Sequence, residues 1–178
     1  MESFNENTPH TSMETYKMLP EGTLAELINN VVYDSPSPVY GHQAASKVIL
    51  RKLLEEVEYK GMGEVFHAPF DVYLDEIANA VQPDLIVVLK DNLKIIDRRG
   101  HIHGIPDLLI EILSKSNKKH DLVRKKKLYE RFGVKEYWII DPETKKTIGF
   151  ELKEGCYTAV GGETGLIQSN LLQLSFVF

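Results

Sequence analysis

The sequence predicts an α/β or α+β fold, a mixed β-sheet flanked by helices and opened by an N-terminal hairpin. Three features carry that reading. Pro83–Leu89 and Pro106–Leu113 are largely apolar on both faces, as strands in the middle of a sheet are. Two longer stretches, about residues 42–59 and 117–132, repeat apolar residues at helical spacing. Glu26–Tyr33 reads as two short β-runs about Asn29-Asn30, a hairpin signature.

The elements follow in order. Residues 1–15 are polar and are expected to be flexible, leaving 16–178 as a single domain large enough for a substantial core. After the hairpin, Ser35-Pro-Ser-Pro38 breaks the chain before a helix over about His42–Tyr59, which Gly61 and Gly63 end. Strands are expected at Glu64–Ala68, Phe70–Leu74, Asp84–Leu89 and Leu108–Leu113, with a loop over 90–105 holding a short strand at Leu93–Ile96. The second helix, from about Asn117 to Phe132, has Gly133 placed to stop it. Strands at Glu136–Ile140, Thr147–Leu152 and Tyr157–Val160 and a closing run Leu172–Phe178 complete the chain.

Composition bounds the function. The 178 residues are 43% hydrophobic and 26% charged, ordinary for a soluble globular protein. A lone cysteine, Cys156, excludes an internal disulfide framework and suits a reducing compartment. The polar N-terminus does not read as a signal peptide and no apolar run approaches a membrane span, so a cytoplasmic location without membrane partners is expected. A net charge of −5 argues against a general nucleic-acid coat, yet seven basic residues and one acid, Asp121, lie between Lys115 and Lys127. Such a patch can guide a polyanion to one location on an otherwise acidic protein.

Lys125 stands out within that patch. In DLVRKKKLYERF (121–132), at about 100° per residue, Leu122, Leu128, Tyr129 and Phe132 share one third of the wheel. Lys125 falls near the centre of that stripe with Asp121 beside it, whereas Lys126 and Lys127 point elsewhere. A buried ammonium is costly unless an anion meets it. Glu111 poses the complementary problem: the period of two puts Asp107, Leu109, Glu111 and Leu113 on one face of a buried strand. A lysine or a metal ion would resolve it. Asp84 opens the strand expected to neighbour that of Glu111. Asp84 and Asp107 each follow a proline at a strand start, where an acid commonly only bonds local amides.

Two carboxylates and a lysine suit phosphodiester hydrolysis. Mg²⁺ takes hard oxygen ligands from one or two carboxylates, water and phosphate, polarises the phosphate and eases deprotonation of water. A nearby lysine orients the water and offsets charge in the transition state.

Several pieces together resemble the Uma-type restriction endonucleases, a branch of the PD-(D/E)XK nuclease superfamily. They are PDLIVVL (83–89), GIPDLLIEILS (104–114), DLVRKKKLYERFGVKEYWIIDP (121–142), the terminal LIQSNLLQLSFVF and the earlier LAELINNVVYDSPSPVYGHQAAS. The resemblance implies a restriction-endonuclease-like mixed sheet, a Mg²⁺ cofactor (Mn²⁺ as substitute), no organic cofactor, and DNA as partner. Asp84 matches the motif aspartate and Glu111 the (D/E) position, with Ile112 lending a backbone carbonyl to the metal. Leu113 stands where the motif has its lysine; in the resembled branch the lysine lies on the following helix, here Lys125. Lys118, Lys119, Lys126 and Lys127 are expected to contact backbone phosphates. Gln43, Asp107 and Asp121 are auxiliary candidates. Cutting both strands calls for two sites, hence an expected homodimer. Alanine at Lys125 is expected to abolish cleavage and leave the fold intact. The alternative is a nuclease fold kept as a binding or scaffold module, with Lys125 and Glu111 only a buried pair.

Other chemistry is thin. His101 and His103 share a strand face but lack further ligands at metal spacing. Tyr129, Tyr137 and Trp138 are candidates for base stacking, against a core role for Trp138. No glycine-rich phosphate loop, G-x-S-x-G elbow or Cys/His pair is present.

Overall fold

A computed structural model describes residues 10–114 and 120–178 (the backbone alone for 120–122). Helix α1 (Ser12–Lys17) begins earlier than expected for a chain loose up to residue 15. Thr11 and Glu14 form a reciprocal capping box, and Met13 and Tyr16 are buried against Ala25, Leu27, Tyr73 and Ala80. Strands β1 (Ala25–Ile28) and β2 (Val31–Asp34) make the expected hairpin. Asn29 and Asn30 both take positive φ, 51° and 64°, as a two-residue turn requires when its twist matches the strands.

Helix α2 (Tyr40–Leu53) continues through a π-helical turn, Leu54–Glu58. Then come β3 (Gly63–His67), β4 (Val72–Tyr73), β5 (Ala80–Val81), β6 (Leu85–Leu89), β7 (Ile102–His103) and β8 (Leu108–Ile112). The strand expected at Leu93–Ile96 is instead the end of a 3₁₀ helix, Lys90–Ile95. Only Ile96 finds a bridging partner, Ile102, while Asn92 ties the helix to the Ile105 carbonyl and to Asp107.

A π-helical turn, His120–Lys125, runs into α3 (Lys126–Phe132), which ends at Gly133 with φ 86°. Strands β9 (Glu136–Ile140), β10 (Thr147–Lys153), β11 (Cys156–Val160), β12 (Leu166–Ser169) and β13 (Leu174–Val177) follow.

Six strands form the main sheet in the order β11-β10-β9-β8-β6-β3, antiparallel except for the β8–β9 pair. The helix bearing Lys125 is the crossover joining those two parallel strands. A second sheet, β2-β1-β5-β4-β7, packs on the same side as α3. The period of two divides the core cleanly. Ile86, Val88, Leu109, Leu113 and Tyr137 face α3 and the second sheet. Leu85, Val87, Leu108, Ile110 and Trp138 face α2 and the β12–β13 hairpin. Glu111 is therefore on the α3 side, and the second sheet supplies the other wall around it.

Candidate active site

The inward face of the crossover helix holds Leu128, Tyr129 and Lys125, all buried. Lys125 Nζ sits 2.8 Å from Glu111 Oε1 and 2.9 Å from Glu26 Oε1. The three side chains are 6%, 4% and 2% exposed, so the ammonium lies in the protein between two carboxylates. The Tyr129 hydroxyl donates to the same Glu111 oxygen at 2.8 Å. Burial, reinforced by the charges of Glu111 and Glu26, raises the Tyr129 phenol well above its ordinary range, so it stays a donor. Glu26 is anchored from its own side, accepting the Gln82 N–H at 2.8 Å.

Asp84 immediately precedes β6. Antiparallel pairing of Leu85 with Ile110 brings it beside Glu111 on the neighbouring strand. Its Oδ2 accepts the Ile112 N–H at 2.7 Å, one residue past Glu111. His42 Nε2, in the first turn of α2, lies 3.1 Å from both oxygens of Asp84. The carboxylate is thus held by the sheet and by the helix together. Asp84, Glu111, Lys125, Ile112, His42 and Gln43 line one cavity of about 460 Å³, a volume within the range of small-molecule sites.

Other candidates lie elsewhere. Asp107 is 1% exposed and accepts from the Leu89 N–H (2.8 Å), Asn92 (3.1 Å) and Lys135 (2.6 Å), a brace between strands and loops away from the cavity. Lys126 lies over the Phe150 ring at 4.5 Å, and neither it nor exposed Lys127 lines the cavity, whereas Lys47 of α2 does. Lys118, Lys119 and the side chain of Asp121 fall outside the described residues. His103 bonds Glu76 and stacks on Tyr73 while His101 approaches Asp71, so the two rings serve different acids. Tyr129, Tyr137 and Trp138 are wholly buried, which rules out base stacking; Trp138 Nε1 donates instead to buried Glu136.

Two residues at the site escaped the sequence reading. Glu26 interrupts an apolar run as Glu111 does, and the same reasoning applied to the hairpin would have found it. His42 offered only its position at the start of a helix following a proline-rich turn.

The donor set suits a hard divalent cation. Glu111 and Glu26 flank the Lys125 ammonium, and Asp84 sits beside Glu111 on the neighbouring strand, so three carboxylates gather near one ammonium. Carboxylate oxygens gathered in that way are the hard ligands that Mg²⁺ takes. Among the described residues no group of three or more His, Cys, Asp or Glu side chains has metal-binding spacing. Mg²⁺ needs fewer, because water and phosphate complete its shell.

A family model described as a putative restriction endonuclease (Uma2) matches residues 13–177. Among solved structures, the fold is shared with a protein described as a putative nuclease belonging to DUF820 from Anabaena variabilis ATCC 29413. The two are 18% identical, the match covers 95% of each chain, and the TM-score is 0.76. At that identity the likeness bears on the fold. No curated protein matches the chain.

Proposed function

The chain belongs to the Uma2 family of putative restriction endonucleases, and on that basis we propose that it is a Mg²⁺-dependent endonuclease that hydrolyses phosphodiester bonds in DNA. The observation that carries this reading is the convergence of Asp84, Glu111 and Lys125 on one cavity. The shared fold of the solved protein described as a putative nuclease is consistent with it.

In this reading Asp84 and Glu111 hold the ion, with the Ile112 carbonyl beside them. When bound, Mg²⁺ (or Mn²⁺) polarises the scissile phosphate and favours deprotonation of water. The chain's own groups do the rest. The Ile112 N–H and His42 fix the Asp84 carboxylate, which limits the reorganisation needed when the ligand shell forms. Tyr129 fixes Glu111 in the same way. Lys125, held by its two carboxylates, orients the attacking water and offsets charge gathering on the phosphoryl oxygens. Gln43 and Lys47, on the cavity wall formed by α2, are placed to contact the DNA backbone. Cleavage of both strands calls for two sites, which a homodimer would supply.

The test is cleavage of supercoiled, linear and single-stranded DNA with Mg²⁺ or Mn²⁺, comparing wild type with Asp84→Asn. Metal-dependent nicking or cutting that disappears in the variant is expected. No cleavage of any substrate by wild type would favour the scaffold alternative, in which Lys125 and Glu111 are a structural pair only.

A further inference from the structure

We propose that Glu26 is a positioning residue of this site: it takes up the charge of Lys125 so that Glu111 keeps the negative charge a divalent cation requires. The inference rests on Asp84 and Glu111 being the cation's ligands. Taken alone, Lys125 and Glu111 would neutralise each other at 2.8 Å, and an ammonium that close to a ligand oxygen opposes an incoming cation. Glu26 changes the balance. Its Oε1 is 2.9 Å from Lys125 Nζ, almost the same distance as Glu111 Oε1, so the ammonium is shared rather than owned.

Three features make Glu26 a device acting from behind Lys125. Lys125 and Glu111 line the cavity, whereas Glu26 is not among the residues that do. It reaches the ammonium from β1, an element separate from both the helix of Lys125 and the strand of Glu111. Its position is set independently, by the Gln82 N–H, and Gln82 is in turn tied to the Thr23 carbonyl and to Asp71. A carboxylate only 2% exposed and fixed by a backbone amide is a costly way to build a hairpin. It is well suited to compensating a charge placed next to a metal ligand. The second sheet thereby takes part in the chemistry of the first.

The test is calorimetric titration of the full chain with Mn²⁺ for wild type, Glu111→Gln, Glu26→Gln and Glu26→Asp. Glutamine keeps the acceptor oxygen for Gln82 and Lys125 and removes only the charge. Glu111→Gln should lose binding. Glu26→Gln should bind about tenfold more weakly or worse although it touches no ion, and Glu26→Asp should recover much of the affinity. Absence of Mn²⁺ binding by wild type would overturn the metal-site reading itself. Wild-type binding with Glu26→Gln within about twofold of it would overturn this inference alone. If Glu26→Gln does not fold, the pair Glu26→Gln/Lys125→Met, which removes both charges, decides the matter. Its Mn²⁺ affinity is within about twofold of that of Lys125→Met alone if Glu26 acts through Lys125; an affinity about tenfold below Lys125→Met would overturn the inference.

Discussion

Replacing Lys125 with methionine should destabilise the fold, contrary to what the sequence suggested for alanine at this position. The ammonium is 2.8 Å and 2.9 Å from two buried carboxylate oxygens, so those oxygens can be no more than about 6 Å apart. Without the cation between them, two ionised carboxylates at that separation repel by about 3 kcal/mol at an effective dielectric near 20. Removing one partner of a buried ion pair generally costs about 3–5 kcal/mol. The bond from Tyr129 to Glu111 and from the Gln82 N–H to Glu26 survive and hold the loss within that range. Against a total stability on the order of 5–15 kcal/mol, the effect is large. Methionine is chosen over alanine because its similar volume avoids adding a cavity. The assay is urea unfolding followed by far-ultraviolet circular dichroism and by fluorescence of buried Trp138. Adding Glu26→Gln to Lys125→Met removes the repulsion and should recover part of the stability. A Lys125→Met variant within about 0.5 kcal/mol of wild type, or a double variant less stable than the single one, would refute the reasoning.

Three further outcomes are expected. His42→Ala should weaken Mn²⁺ binding by about tenfold while Asp84 itself is intact, measured by calorimetry, because the carboxylate loses one of the two groups that orient it. Asp107→Asn should lower stability by about 1–3 kcal/mol in urea unfolding and leave Mn²⁺ affinity unchanged, because the Asp107 carboxylate braces Leu89, Asn92 and Lys135 and does not line the cavity. Burial, with Asp71 nearby in one case and Glu130 in the other, raises the phenols of Tyr16 and Tyr157 above the ordinary 10.0. The folded state holds those protons more tightly than the unfolded chain does. The stability they contribute is therefore complete below about pH 10 and falls as pH rises beyond it, by about 1.4 kcal/mol per unit for each tyrosine, which urea midpoints on either side of pH 10 would reveal.

Periodicity made much of this molecule legible. The alternation through Glu111 and the helical stripe through Lys125 each put one charged residue into an apolar surface, and those two meet. The Asn29-Asn30 turn and the glycine stop at Gly133 were readable because their backbone geometry restricts which residues can occupy them. Elements of two residues, such as β5 and β7, leave too short a pattern to see, and they exist because neighbouring segments pair with them. Glu26 carries the same signal as Glu111, an acid within an apolar run, but nothing along the chain says that a hairpin some hundred residues upstream packs behind Lys125. Charge density alone does not say which lysines reach the cavity: Lys126 lies over the Phe150 ring, whereas Lys47 of α2 lines the cavity wall. Asp107, which shares a proline-acid start with Asp84, differs only in what surrounds it.

Soaking crystals of the protein with Mn²⁺ and measuring anomalous scattering asks the central question directly. A peak bridging the Asp84 and Glu111 carboxylates, with the Lys125 ammonium still beside Glu111, is the predicted result. Well-diffracting soaked crystals with no peak there, or with Mn²⁺ bound only at other carboxylates, would contradict the account.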